Sequence, residues 1–192
     1  MISEVLVLLK DAVNNYLGAT LGWGSAQPET GQVVFLDSDK LDVQDFKLGA
    51  VTLVLVNLEQ EHSMRPGDPY RTTLPDGTTQ RVHPPIHLNA YVLFAARFKE
   101  YQQSLRYISL ILQFFQNHRV FDHENTPTMS DRLDRIQVDF MTLPFSEQHN
   151  LWMLLRTSYQ PSLLYKVRMV VYHDEDGLAA PAGAGPTIRI SQ

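Results

Sequence analysis

The segment Ile86–Phe98 constrains the fold of this 192-residue chain more than any other feature. Every second residue from Ile86 to Phe98 is apolar, and the set between them carries His87, Asn89, Tyr91, Leu93 and Arg97. A period of two is the pattern of a strand that presents one face to a core and the other to a different environment. We therefore interpret the segment as one long strand.

Four other segments predict strands. Ala50–Glu59 is apolar at both alternating sets of positions, which favours a central strand covered on both faces, by layers of this chain or by a neighbour. Residues 32–37, 134–141 and 162–172 also have strand patterns.

Three segments predict helices. Residues 2–21 place apolar side chains at helical spacing, with Ser3 as a candidate N-cap and Gly18 or Gly22 as a candidate stop. Ser146 is a candidate cap for a helix that runs to about Tyr159 and is ended by Pro161.

The helix predicted at residues 100–117 is unusually apolar. One stripe contains Tyr101, Leu105, Ile108, Leu112 and Phe115, and further apolar residues widen it almost all round the helix: Tyr107, Leu110, Ile111 and Phe114. A small sheet covers only one side of a helix, so this breadth indicates that a neighbouring subunit covers the rest.

Two segments look like appendages to a domain at residues 1–172. Residues 63–85 contain five prolines and the turn dipeptide Asp76-Gly77, which predicts a contact arm with a hairpin. Residues 173–192 contain a Gly/Ala/Pro linker at 177–186 and a short strand-like segment at 187–190. Such a segment can pair with the sheet edge of another chain.

Composition excludes several classes of function. The net charge is −5 with basic residues scattered among acidic ones, so nucleic acid is not an expected partner. No apolar run approaches the roughly 20 residues of a membrane span, and the N-terminus lacks the basic region of a signal peptide. We expect a protein without membrane insertion that is cytoplasmic at assembly.

Chemistry-bearing motifs are weak. The chain has no cysteine, and its seven histidines form no H-x-x-x-H pair, so no metal site and no cofactor are predicted. The acidic run from Asp37 to Asp45 lacks the glycine and glutamate of a calcium loop. Lys166 and Arg168 suit phosphate binding, inter-subunit salt bridges or a charged exposed face.

Four segments in order carry a resemblance to a known family. They are Pro84–Phe94, the helix from Tyr101 to Gln116, Glu147–Trp152 and Tyr159–Met169. Together they resemble the N-terminal domain of the cap, or tail-terminator, proteins of extracellular contractile injection systems. The resemblance extends from the first helix to about Tyr172.

The resemblance implies an α/β fold of the α+β type, in which a twisted, mainly antiparallel sheet packs with about three helices. It also implies a homohexameric ring on the baseplate-distal end of the tube and sheath of a contractile particle. This ring would stop the elongation of tube and sheath. The particle can be released from the cell. Its partners would be the sheath and inner-tube proteins. It implies no catalytic residues.

Two alternatives remain open. The chain could form another ring of the same machinery, such as a connector between tube and sheath. It could also be a small enzyme that uses the face of His87 and Asn89, which carries Tyr91 and Arg97 as well. For the cap, the predicted interface residues are Tyr107, Phe114, Arg71, Arg81, Ile188 and Ile190.

Overall fold

The structure, a computed structural model, describes residues 2–23, 31–36, 46–61, 71–73, 79–81, 86–131 and 133–171. At positions 71–73, 79–81, 86, 170 and 171 the description covers the backbone. The acidic run from Asp37 to Asp45 lies outside the described residues, as do the predicted linker and terminal strand.

The described residues form a mixed α/β fold around one long sheet. The elements are α1 (Ile2–Leu21), β1 (Val33–Phe35), β2 (Ala50–Gln60), β3 (Arg71–Thr73), β4 (Thr79–Arg81), β5 (Ile86–Arg97), α2 (Tyr101–Asn117), β6 (Val120–Asp122), β7 (Leu133–Met141), α3 (Phe145–Leu154) and β8 (Ser162–Val171). Six of these strands pair in the order β1-β2-β5-β8-β7-β6, and β3 pairs with β4 in a separate hairpin. Only the β1–β2 pair is parallel, so the expected fold class and mainly antiparallel sheet are confirmed.

Helix α1 spans the predicted residues 2–21 and ends before Gly22, the second of the two candidate stops, but the prediction that Ser3 caps it is wrong because Ser3 lies inside the helix. Val5, Leu9, Val13 and Leu17 are buried along one face, at the spacing of a helix that packs on a core. Gly22 has a φ of 71°, and the amide of Trp23 donates to the carbonyl of Gly18 over 3.0 Å. This is the bonding of a helix that ends in a left-handed residue, a conformation that glycine adopts without steric strain.

A single buried amide ties α1 to the first strand. The Nδ2 atom of Asn14 donates to the carbonyl of Val33 over 3.0 Å, and its Oδ1 atom accepts from the amide of Val33 over 2.7 Å. The side chain of Asn14 therefore bonds both polar backbone groups of Val33, as a neighbouring strand would.

The two faces of the sheet carry different cores. On the face that we call the helical face, alternate strand residues such as Leu53, Phe94 and Tyr165 pack with α1 and α2 in the larger cluster. On the opposite face, here the α3 face, Leu93 and Leu164 pack with residues of α3 in a smaller cluster. The alternation predicted for β5 is thus confirmed, because its odd and even positions enter different clusters.

The breadth of the apolar surface on α2 has an explanation within the subunit. Phe114 contacts Tyr16 of α1 with ring centroids 5.3 Å apart, and it also contacts Phe121 of β6 at 6.5 Å. Phe115 faces the sheet, with its ring 4.6 Å from that of Tyr165. Because α1 and the sheet both pack on α2, much of the surface that the sequence assigned to a neighbouring subunit is covered by the chain itself.

Helix α3 is shorter than predicted. It begins at Phe145 with Pro144 in the capping position, so the prediction that Ser146 caps it is wrong. It ends at Leu154, and Arg156 then adopts a φ of 51°. A non-glycine residue in this left-handed region stops the helix before it reaches Tyr159 or Pro161, so those predicted ends are also wrong.

Candidate interaction surfaces

A metal site and a membrane span are two features that the sequence does not predict. Within them, no three His, Cys, Asp or Glu side chains come together as metal ligands would. No helix in the described part of the chain is long and apolar enough to cross a bilayer.

The side chains of the enzyme alternative do not form one pocket. His87, Asn89, Tyr91 and Arg97 share the α3 face of β5, as the alternation predicts. Arg97, at the far end of the strand from His87, donates to the carbonyl of Phe46 over 2.6 Å. Between them lie Leu93 and Ala95, both buried under α3, so Arg97 is separated from the other three.

Charged and polar residues occupy the part of the α3 face that α3 leaves uncovered. We call this the charged strip; it consists of Glu59, Glu61, Asn89, Tyr91, Gln137, Asp139, Lys166 and Arg168. Seven of them come from four adjacent strands and Glu61 directly follows β2, so they form a band across the sheet. Alternate residues such as Ala90, Val138 and Val167 point the opposite way into the larger core.

One half of the charged strip centres on Glu59 of β2 and on Glu61, which directly follows that strand. The hydroxyl of Tyr91 donates to Oε2 of Glu59 over 2.7 Å, and Nδ2 of Asn89 donates to Oε2 of Glu61 over 2.9 Å. The hydrogen bond to Glu59, followed by burial and the negative charges of both glutamates, raises the pKa of Tyr91. Lys166 lies 3.9 Å from Glu61.

The other half of the charged strip centres on Asp139. Arg168 donates from Nε to Oδ2 of Asp139 over 2.9 Å and forms a second bond from its terminal nitrogen to the same oxygen. Gln137 donates to the other carboxylate oxygen over 3.2 Å. Lys166 and Arg168 therefore form ion pairs within the subunit, on a face that remains accessible to a partner.

Helix α3 exposes a second, apolar surface. Phe145 is 90% exposed, and Leu154, Met153 and Tyr159 are also exposed. A groove of about 660 Å³ runs along this side of the helix, and we call it the α3 groove; its lining includes Phe145, Gln148, His149, Trp152, Met153 and Tyr159. Contiguous exposed apolar side chains of this kind mark contact sites on soluble proteins.

Trp152 is the floor of the α3 groove. It is 5% exposed and contacts Phe46 beneath it and Tyr159 beside it, with ring centroids 5.9 and 5.5 Å away. Its indole nitrogen is buried and donates to no acceptor among the described residues. A rigid aromatic floor is the kind of lining that binds an apolar side chain.

A third surface lies on α2. Tyr101 is 64% exposed and Leu105 is exposed one turn later, while Ile108 and Leu112 continue the same row as partly buried residues. We call this row the α2 stripe. It lies beside the buried positions of the helix, which are Ser104, Tyr107, Ile111, Phe114 and Phe115, and Leu112 at its far end lies near Phe140 and Tyr165 of the sheet.

Of the predicted interface residues, Tyr107 and Phe114 lie in the core of the subunit. Tyr107 is 6% exposed and stacks on Phe98 at 4.5 Å, and Phe114 is 4% exposed. Burial raises the pKa of Tyr107. In this conformation both side chains are covered by their own subunit, and an interface role for them stays a prediction.

The other four predicted interface residues lie in the appendages. Arg71 and Arg81 occupy paired positions of the β3–β4 hairpin, so the hairpin predicted for the proline-rich arm is present. The rest of the arm is outside the described residues, as are Ile188 and Ile190. The contact role of all four stays a prediction.

The α3 groove was not predicted from the sequence, although the sequence contains a signal for it. Leu151, Trp152 and Leu155 are buried against the sheet, whereas Phe145, Met153 and Leu154 point elsewhere on the same short helix. Apolar residues on both sides of a ten-residue helix could have predicted a second contact surface.

Comparison with known proteins gives a family and a fold. A family model described as the Pvc16 N-terminal domain matches residues 4–182. No curated protein sequence matches the chain significantly.

Two solved structures share the fold. One is the sheath/tube terminator of an extracellular contractile injection system, PVC, in its extended state, with a TM-score of 0.50 and 16% identity over 94% of this chain and 63% of that chain. The other is the tube-terminating cap of the anti-feeding prophage, with a TM-score of 0.56 and 15% identity over 97% of this chain and 60% of that chain. This chain thus spans about three fifths of the length of each.

Proposed function

We propose that this chain, which belongs to the Pvc16 N-terminal domain family, is a structural cap subunit that closes the tube and sheath of a contractile injection particle. Bound to the end of these polymers, the cap would occupy the surface that the next layer of subunits needs, and elongation would stop. Such a function needs shape and contacts rather than bond chemistry.

The observation that carries the proposal is the extent of the similarity. The family match includes 4–182, and the two similar structures, both named as terminators, align with at least 94% of this chain. The similarity therefore concerns the whole arrangement of helices and strands and not one common motif.

The surfaces of the described residues support a role in assembly. The charged strip and the α3 groove lie on the same face of the sheet, and one is polar while the other is apolar. Protein interfaces combine an apolar centre with a polar rim, which is the combination that this face offers.

The finer features of the proposal follow from the cap function. We propose a homohexameric ring of subunits without enzymatic activity that forms in the cytoplasm before the particle is complete. Residues 1–172 would form the cap domain and residues 173–192 a tail that contacts a neighbour. The family match continues to residue 182, so part of that tail is shared within the family.

The length of the particles tests the proposal. We expect cells that lack this chain to produce tubes and sheaths of variable and greater length, as measured by electron microscopy of purified particles. Restoring the chain should restore a single length and add density at one end. Particles of unchanged length and unchanged ends would contradict a cap function.

The native mass of the purified protein tests the ring separately. Light scattering across a concentration series should give a mass near six subunits. A tube–sheath connector would also form a ring, but its loss should separate tube from sheath instead of lengthening both.

A further inference from the structure

We infer that the free edge of β7, residues 139–141, binds residues 187–190 of a neighbouring copy as an added strand. This inference rests on the proposed function, because it identifies the contact that joins neighbouring subunits of the proposed ring. It gives a defined binding site to the strand that the sequence predicts after the Gly/Ala/Pro linker.

Two other stretches at the edges of the sheet are closed by side chains of the same subunit. At β1, Asn14 bonds both polar backbone groups of Val33. At β6, Nδ2 of Asn125 donates to the carbonyl of Val120 over 3.0 Å, and Oδ1 of Asn125 accepts from the amide of Asp122 over 3.1 Å. Because these backbone groups are already bonded, an incoming strand finds no free row of donors and acceptors there.

The second half of β7 has no such cover among the described residues. Strand β6 pairs with residues 135–137 of β7, and the amide of Val138 donates over 2.8 Å to the carbonyl of Arg119, which precedes β6. Residues two apart in an antiparallel strand direct their backbone groups to the same side, so those of Phe140 also point to this side. No described residue bonds them there. The free edge is therefore a site at which another strand can add.

The side chains at the free edge favour an apolar partner on the helical face. Phe140 is 52% exposed although its ring lies only 5.7 Å from that of Tyr165. A pocket of about 230 Å³ adjoins it, with a lining that includes Leu112, Phe115, Gln116 and Arg119. Ligand pockets are typically about 300 to 1,000 Å³, so this smaller pocket suits one side chain of an added strand.

Residues 187–190 have the alternation that the helical face requires. In an extended conformation, Ile188 and Ile190 point to one side and Arg189 points to the other. With the isoleucines on the helical face, one of them packs against Phe140. Pairs of an aromatic and a β-branched residue stabilise neighbouring strands, so this orientation is favoured.

Charge fits the same orientation. Arg189 then lies on the α3 face beside Asp139, whose carboxylate accepts from Arg168 and Gln137 and is 32% exposed. A carboxylate has about four acceptor positions, so Asp139 can also accept from Arg189.

The direction of β8 favours a neighbour over the same subunit. Strand β8 runs from Leu164, opposite Met141, to Val171, opposite Leu133. The chain therefore leaves β8 at the end of the sheet away from Phe140 and moves away from the free edge. Residues 172–186 follow, and a chain of this length spans at most about 50 Å, which is enough to reach another subunit. Each copy then gives one strand and accepts one, as a closed ring requires.

The absence of cysteine from the native chain makes a site-specific test possible. We would co-express the single variants Phe140→Cys and Ile188→Cys and treat the purified protein with mild oxidant and with a short bismaleimide. A link between the two kinds of chain has to join two subunits, and we expect one cross-linked dimer. The double variant should give a ladder of covalent oligomers.

A matched control uses Phe35→Cys with Ile188→Cys. Phe35 is also an exposed phenylalanine of a strand at the edge of the sheet, with 40% exposure, but it lies in β1 at the opposite side. This pair should give no link. Links as frequent as those at position 140 would show that residue 188 reacts without a defined site, which would overturn the inference.

A proline substitution tests the added strand without cysteine. Arg189→Pro removes a backbone donor and does not fit a paired strand, so it should weaken association of the hexamer by roughly tenfold or more, as measured by light scattering on dilution. Ala184→Pro, in a linker that already contains Pro181 and Pro186, is the control and should leave association unchanged. Equal effects of the two variants would contradict strand addition.

The outcomes separate this inference from the proposed function. A hexamer whose co-expressed variants form no link between positions 140 and 188 would overturn the inference and leave the ring intact. A link that forms only within single chains of the double variant would place the segment on its own subunit, which would also overturn it. A chain that stays monomeric at every concentration would contradict the ring itself, and the inference with it.

Discussion

The two faces of the sheet differ in how completely the chain covers them. On the helical face, α1 and α2 lie over one continuous core in which Phe94 is fully buried. On the α3 face, a short helix covers a small cluster around Leu93 and Trp152, and the charged strip beside it remains accessible. The described residues thus cover the helical face more completely than the α3 face.

The difference teaches how the sequence divides folding from association. Side chains on the helical face contribute mainly to stability, since removing them from the core leaves a cavity. Side chains around α3 and in the charged strip contribute less to stability and remain free to contribute to a contact. Substitutions on the helical face should therefore change mainly the free energy of unfolding, and substitutions on the α3 face should change mainly assembly.

The largest effect on stability is expected from the helical face. Phe94 contacts Phe115 and Tyr165 with ring centroids 5.5 and 5.9 Å away, so Phe94→Ala should lower the free energy of unfolding by about 3 to 5 kcal/mol. Leu151→Ala, in the smaller cluster under α3, should lower it by about 2 kcal/mol. Urea denaturation of both variants measures the difference. Equal losses of free energy of unfolding would contradict the claim that the helical face contributes more to stability than the α3 face.

A smaller effect, of opposite sign, is expected from Tyr165. Its hydroxyl is buried and has no hydrogen-bond partner among the described residues, so Tyr165→Phe should stabilise the fold by about 1 kcal/mol at neutral pH. Thermal unfolding at pH 7 measures this gain. Tyr91→Phe is the control, because that hydroxyl is bonded to Glu59 and its loss should not stabilise.

The hydroxyl of Tyr165 should also make the stability of the fold depend on pH in the alkaline range. Burial raises the pKa of Tyr165 above the value of about 10 that it has in the unfolded chain. The folded protein then holds this proton more tightly, so its contribution is present below about pH 10 and is lost as the pH rises further. Between pH 8 and 11, the free energy of unfolding should fall less steeply with pH for Tyr165→Phe than for the native protein. Identical slopes would show that folding does not raise the pKa of this hydroxyl.

The smallest effect on stability is expected in the charged strip. The side chains of Arg168 and Asp139 are 47% and 32% exposed, so their coupling in a double-mutant cycle with alanine should be about 0.2 to 1 kcal/mol. Assembly should be more sensitive, and the Arg168→Ala variant should lose part of its dependence on salt in light-scattering measurements. A coupling free energy well above this range would mean that the charged strip contributes substantially to the stability of the fold.

The regular elements could be predicted from the sequence because their periodicity is strong. The bounds of α1, β5 and α2 agree with the pattern to within about one residue. Strand β6 was missed since three residues carry no measurable period. The end of α3 was placed too late because nothing in the sequence marks Arg156 as a residue with positive φ.

The interface was harder to predict than the fold. Periodicity shows that Tyr107 and Phe114 face an apolar environment, but it does not show whether that environment is the same subunit or another one. Here α1 and the backbone at Gly31 provide this environment. A Cβ atom at Gly31 would lie 2.2 Å from the hydroxyl of Tyr107. Such long-range contacts depend on which element packs over which, and a local pattern does not contain that information.

The bond between Asn14 and Val33 has a consequence for the growth of the sheet. Among the described strands, β1 is at one end of the sheet, where unpaired backbone groups would invite another strand to add. The amide of Asn14 occupies both of the groups that Val33 would offer. An added strand would have to displace α1 to pair with Val33. The side chain of Asn14 therefore blocks extension of the sheet at this edge.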